Sequence, residues 1–151
     1  MLVATLGAVL FGLLLLAALL AALWFAYTYM LWRMGWRVFA ARYSSDLAPA
    51  RSFVAGSATF GHVFATYKRS ARVGFLPEGV HFSAALPLGV AHAPFLLPWE
   101  RVRVAEIERG PGGITEGERT RLELRDEAGR VTVLLPAAAL AALEAQRAFQ
   151  R

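Results

Sequence analysis

Thirty-one consecutive residues, from Leu2 to Trp32, carry no charge. As a helix, such a run rises about 46 Å, more than the roughly 30 Å hydrocarbon layer of a bilayer. Positions 2–23 hold only Leu, Ala, Val, Gly, Thr and Phe. Aromatic residues then cluster at Trp24, Phe25, Tyr27, Tyr29, Trp32 and Trp36, the residue type that settles at the headgroup level. The sequence therefore predicts a transmembrane helix with its aromatic belt over residues 1–32, spanning the hydrocarbon near 2–23. Trp24, Tyr27, Tyr29, Trp32 and Trp36 are its expected interface anchors. A cleaved signal peptide fits less well, because no basic residue precedes the apolar run and the run exceeds an ordinary h-region. Cleavage, if it occurred, would fall at small pairs such as Ala17-Ala18 or Ala21-Ala22.

The flanks predict an orientation. No Lys or Arg precedes the span, whereas Arg33, Arg37 and Arg42 follow it closely. By the positive-inside rule the N-terminus lies outside and the remaining chain in the cytoplasm, which implies a single-pass protein of the inner (plasma) membrane. Ala4, Ala8 and Gly12 fall four apart, as do Ala18, Ala22 and Ala26. Small residues at that spacing permit close helix approach and a homodimer through this face, although the abundance of Ala produces the same spacing by chance.

Residues 33–48 form the expected juxtamembrane helix and linker. Trp32, Trp36, Phe39 and Tyr43 recur at helical spacing, with Arg33 and Arg37 on a neighbouring face. Two roles suit that pattern equally: lying along the headgroups, or packing the aromatic face on the following domain. Ser44-Ser45-Asp46 with Pro49 ends the helix.

About 119 residues remain after the apolar run, enough for one small domain but not for a two-domain enzyme. The pattern from residue 49 onward alternates as strands do. Phe53, Ala55 and Ser57 form one phase and Phe60, His62 and Phe64 another, with Gly56 and Gly61 as candidate bulges. Val73 and Phe75 lead through Leu76-Pro77-Glu78-Gly79 into Val80, Phe82, Ala84 and Leu86, a hairpin. Phe95–Leu97 is a short apolar strand. The alternation of Val102 and Val104 slips before Ile107, as a bulge causes. Residues 110–118 read as a hairpin tip. Leu122/Leu124 and Val131/Val133/Leu135 flank a turn at 126–129, and a final helix is expected over 136–150. The expected fold of residues 49–151 is thus mostly antiparallel, a seven-stranded barrel or sandwich with a C-terminal α-helix.

Three stretches carry a resemblance: Trp36–Tyr43, Arg72–Val80 and Ala93–Glu100, the last ending in Pro98-Trp99-Glu100. Together with the strand order, they resemble uncharacterised small bacterial membrane-anchored proteins with a pleckstrin-homology-like (PH-like) domain, over about residues 36–107. The resemblance implies a PH-like domain, a fold that binds lipid headgroups, peptides or other proteins. It implies no catalytic residue and no cofactor.

The residues themselves point away from catalysis. The chain has no cysteine, which excludes disulfides, thiolate zinc sites and a cysteine nucleophile. His62, His81 and His92 have no tight metal-ligand spacing, and His81, between Val80 and Phe82, is expected to face solvent. The charge-mixed stretches 100–109 and 119–125 read as ion pairs on an exposed face. Gly110-Pro111-Gly112-Gly113 lacks the ending of a phosphate loop, and no nucleophile elbow occurs. The net charge of +5 is more telling: residues 33–99 hold seven basic and two acidic side chains, and residues 100–151 hold nine of each. The candidate headgroup-binding residues are therefore Arg33, Arg37, Arg42, Lys68, Arg69 and Arg72, each worth about 1 kcal/mol beside an anionic leaflet. So small a patch on an anchored chain argues against nucleic acid. The expectation is a noncatalytic tethered module that docks a protein partner, with an anionic-lipid sensor as the alternative.

Overall fold

The computed structural model describes residues 2–61, 65–110, 119–127 and 129–148, with side chains left aside at 2–5, 103–110 and 119. The chain divides into two compact units, Met1–Met30 and Leu31–Arg151. The first is occupied by helix α1 (Leu2–Leu31). Every side chain from Leu6 to Tyr27 is exposed, so the helix is apolar around its whole circumference. It is long and apolar enough to cross a membrane.

The second unit opens with a π-helical turn, Trp32–Trp36, and helix α2 (Arg37–Tyr43). Ser44 is extended, which ends the helix where the Ser-Ser-Asp cluster predicts. Among the described residues nine strands follow: β1 (Ser52–Val54), β2 (Ser57–Phe60), β3 (Thr66–Lys68), β4 (Ala71–Leu76), β5 (Gly79–Ala84), β6 (Phe95–Pro98), β7 (Arg103–Gly110), β8 (Arg119–Asp126) and β9 (Gly129–Pro136). Helix α3 (Ala137–Ala148) closes the described chain. The strands make two antiparallel sheets, ordered β1-β4-β5-β6 and β3-β2-β9-β8-β7.

Two expectations are corrected here. Nine strands replace seven, because the chain turns a corner twice. At the first corner, Ala55 N–H bonds to Ala71 of β4 while the next amide, Gly56, bonds to Leu134 of β9. Successive amides thus serve opposite sheets, and the buried phase shifts from Phe53 and Ala55 to Ala58 and Phe60. At the second corner Arg69, with φ of 53°, separates β3 from β4. The sheets also do not close into a barrel: among the described residues no ladder joins β6 to β7. They face each other as a sandwich. The β4–β5 hairpin pairs Leu76 with Gly79 as its turn sequence requires, and the slip in β7 falls between Val104 and Glu106. Of the expected tip at 110–118, Gly110 ends β7, and the rest, like His62 and Phe64, lies outside the described residues.

One continuous core fills the sandwich. Phe82 and Phe95 line one sheet, Phe60, Leu124 and Val133 the other, and Leu140 and Leu143 of α3 pack beside them. Leu31, Trp36 and Phe39 belong to the same cluster. The segment 31–43 is therefore part of the domain, not a linker before it. Beyond it, Ser44 bridges to Phe95, Ser45 N–H bonds to Pro94 O, and Pro49 packs on Gly74. Residues 45–51 thereby cross the outer face of the first sheet from β6 to β1.

Candidate functional site

The segment that follows the apolar helix supplies the best-defined geometry. Its apolar stripe comprises Leu31, Gly35, Trp36, Phe39 and Ala40, and Gly35 has a physical reason. A Cβ there would stand 2.6 Å from Phe60 O and 2.7 Å from Phe60 Cβ, so only glycine lets the turn rest on β2. The neighbouring Trp36 has no exposed surface. Its indole N–H donates to Ala93 O at 2.8 Å, and its ring meets Phe60, Tyr67, His92 and Phe95 at centroid distances of 5.0–5.3 Å. Trp36 was an expected interface anchor; enclosed in the domain, it cannot reach headgroups. Of the two roles open to this segment, packing on the domain is the one its aromatic face takes. Trp24, Tyr27 and Tyr29 are exposed on α1, and Trp32 is half-buried.

Polar bonds fix the far end of the segment. Tyr43 O–H donates to Asp126 Oδ2 at 2.9 Å, and burial together with that carboxylate raises the phenol above its ordinary pKa. Arg42 bonds Glu127 Oε2 at 2.9 Å, and Arg101 approaches Glu127 Oε1 at 3.4 Å. Beside these groups an open cleft of about 490 Å³ is lined by Glu100, Arg101, Arg125, Asp126 and Glu127. Its walls mix both signs, which suits a zwitterionic or peptide contact better than a phosphate.

The six basic candidates separate accordingly. Arg42 is engaged with Glu127. Arg33 and Arg37 are exposed, with the Arg37 guanidinium 5.3 Å from the Trp32 ring centroid. Lys68, Arg69 and Arg72 are exposed around the second corner, where Lys68 faces Ser57 in register and Arg72 lies between Val54 and Ser83. Among the described residues Lys68 and Arg72 form no ion pair, so both cations are available to an external anion.

The histidines depart from expectation. His81 is 4% exposed rather than solvent-facing. On β5 its neighbours Val80 and Phe82 enter the core, while His81 points to the outer face, flanked in register by Gly74 and Leu96. That is the face which residues 45–51 cross. Neither ring nitrogen has a partner among the described residues, and burial lowers its pKa. His92 is also buried, but satisfied: Nδ1 bonds Leu88 O and Nε2 bonds Tyr67 O–H, both at 2.9 Å. A carbonyl only accepts, so Nδ1 carries the proton and the tyrosine donates to Nε2. Burial lowers this pKa too, against the raising effect of the Leu88 bond. The expectation of exposed ion pairs fails at Glu123, which is buried and reached by Arg130 at 2.8 Å and Arg125 at 3.0 Å. Among the described residues no group of three His, Asp or Glu side chains is placed to hold a metal.

Trp99 also acts structurally. Its indole N–H donates to Leu76 O at 2.8 Å and its ring stacks on Phe75, tying β6 to the β4–β5 turn. Compared with family models, with curated proteins and with solved structures, the chain matches none.

Proposed function

We propose that the chain is a noncatalytic, membrane-tethered interaction module with a PH-like domain that docks a protein partner at the cytoplasmic face of the plasma membrane. If β1 with β2, and β3 with β4, count as two strands bent at corners, seven strands and a C-terminal helix remain, the order of the PH-like superfold. The tether is α1, and the Arg33, Arg37 and Arg42 flank favours the N-outside orientation.

The observation that carries the docking role is the edge of β7. Seven of its eight residues pair with β8, and none pairs with another strand among the described residues. Such an edge is a row of unpaired N–H and C=O groups that invites an added strand. Its sequence intersperses Arg103, Glu106, Glu108 and Arg109 with Val104, Ala105 and Ile107, which discourages indiscriminate pairing and favours a partner strand of complementary charge. A photo-crosslinking residue placed at Glu106 or Glu108 should trap one discrete partner in cells, and the same residue at Thr132 of the central strand β9 should not. Equal labelling at both places, or none, would remove the edge from the proposal. Reporter fusions at both ends test the orientation.

A second reading, recognition of anionic lipid headgroups, is favoured by the exposure of Lys68, Arg69 and Arg72 together with Arg33 and Arg37. Changing Lys68, Arg69 and Arg72 to Ser would remove about 3 kcal/mol of attraction to an anionic leaflet, roughly a hundredfold in vesicle affinity. Residues 31–151 should then cosediment with anionic vesicles in a salt-sensitive manner only with the triad intact. No dependence on the triad would leave the protein-docking role alone.

A further inference from the structure

The ten residues from Ala85 to Pro94, between β5 and β6, contain no charged side chain. Two of their three large apolar members, Leu86 and Val90, point outward: Leu86 is 82% exposed and Val90 is 85% exposed, more than any described large apolar residue of α1, which reach at most 69%. A single exposed leucine needs no explanation. Two in one uncharged loop do, because the loop is held in shape. Ala85 N–H bonds to Ser70 O at 2.7 Å, Gly89 N–H to Ala85 O at 3.1 Å and Ala91 N–H to Leu88 O at 3.1 Å. Buried His92 fastens Leu88 O from within, and Leu88 packs against the core. The loop thus presents Leu86 and Val90 on a fixed turn.

The position of the loop identifies what covers it. Its Ala93 O accepts the Trp36 indole bond, and its His92 ring packs on Trp36. Trp36 stands only five residues after Leu31, about 7.5 Å of helical rise. The uncharged loop is therefore fastened to the segment that emerges from the apolar helix, where exposed Arg33 and Arg37 can meet lipid phosphates. We propose that the 85–91 loop is a second membrane contact, inserting Leu86 and Val90 at the boundary between headgroups and acyl chains. This inference rests on the tether reading of α1. The partner is the bilayer itself, since an apolar turn beside cationic side chains matches the layering of an anionic leaflet. Insertion would fix the tilt of the domain and determine which of its edges face the cytoplasm.

The chain has no cysteine, so each introduced one is unique. Leu86→Cys, Val90→Cys, Leu14→Cys and Glu127→Cys, in the full chain in vesicles of mixed neutral and anionic lipid, would carry an environment-sensitive fluorophore. Lipids spin-labelled near the headgroup or deep in the acyl chain serve as quenchers. The expected result is blue-shifted emission at positions 86 and 90, quenched most by the shallow label. Position 14 should be quenched by the deep label and position 127 by neither. Quenching at 14 with water-like emission at 86 and 90 would overturn the loop contact and leave the tether intact. Blue-shifted emission at 86 and 90 without lipid quenching would assign the loop to a protein contact and overturn the proposal equally. Absence of quenching at 14 would sink the tether reading and this inference with it.

Discussion

An imidazole with no partner for either nitrogen is held in its neutral form, and His81, buried on the outer face of the first sheet, is such a group among the described residues. Its native pKa lies below the usual value of about 6.5, so the unfolded chain binds more protons than the native one between the two values. Stability contributed by neutral His81 is therefore present above about pH 6.5 and is lost as pH falls through the native pKa. Unfolding of the full chain in mild detergent, followed by urea titration at several pH values, should show this decline. His81→Leu should be at least as stable at about pH 8, since it removes two buried unpartnered nitrogens, and should decline less steeply with acid. His92, also lowered, keeps its own dependence; an unchanged slope in the variant would mean that His81 contributes none of it. Trp36 is the converse case, a fully satisfied buried group. Trp36→Phe removes the bond to the carbonyl of Ala93, an exposed residue that water can reach, and should cost about 0.5–1.5 kcal/mol. Trp36→Ala opens a cavity against four rings and should cost about 3–5 kcal/mol. Chemical denaturation of both variants would distinguish the polar from the packing contribution.

Periodicity made the helices and hairpins legible because each depends on its own residues. The 4-3-4 spacing of Trp32, Trp36, Phe39 and Tyr43 marked an apolar face, and the Pro77-Glu78 turn set the register of β4 and β5. Spacing says only that a face is apolar, not what it meets, which is why Trp36 read equally well as a headgroup anchor. Glycine held more information than expected. Gly35 sits where the π turn touches β2, so Gly35→Ala should overpack that contact and cost about 1–3 kcal/mol. Gly7 and Gly12 of α1 have nothing within 4 Å of an added Cβ, and alanine there should be neutral or slightly favourable in a helix interior. Thermal melts of the three variants test the contrast, and equal destabilisation by all three would mean that Gly35 makes no special contact. The corners at Ala55-Gly56 and Arg69 were only half legible. Gly56 marked a break, but which sheet each amide serves depends on strands up to 80 residues away in sequence. The exposed Arg42–Glu127 pair was invisible for the same reason, and at 49% and 63% exposure it should contribute at most about 1 kcal/mol.

For the molecule as a whole, the boundary that composition suggests and the boundary that packing defines differ. Composition and the Pro49 break place the domain at 49–151, whereas the core cluster includes Leu31, Trp36, Phe39 and Ala40 and the compact unit begins at Leu31. A chain beginning at residue 44 would lack Trp36 and Phe39, and each deletion of a buried aromatic ring costs about 3–5 kcal/mol. Together with the lost Tyr43–Asp126 bond, that loss is comparable to the roughly 5–15 kcal/mol stability of an ordinary domain. Residues 44–151 should therefore bind apolar dyes, lose near-ultraviolet dichroism and associate, while residues 31–151 should unfold cooperatively. The comparison needs only these two chains and one thermal scan each. If residues 44–151 proved as cooperative as 31–151, the helical segment would be an accessory to the fold and the tether would be mechanically separable from the domain. If they do not, the segment leaving the apolar helix is itself part of the core of the domain, and a change that displaces the segment must loosen the domain.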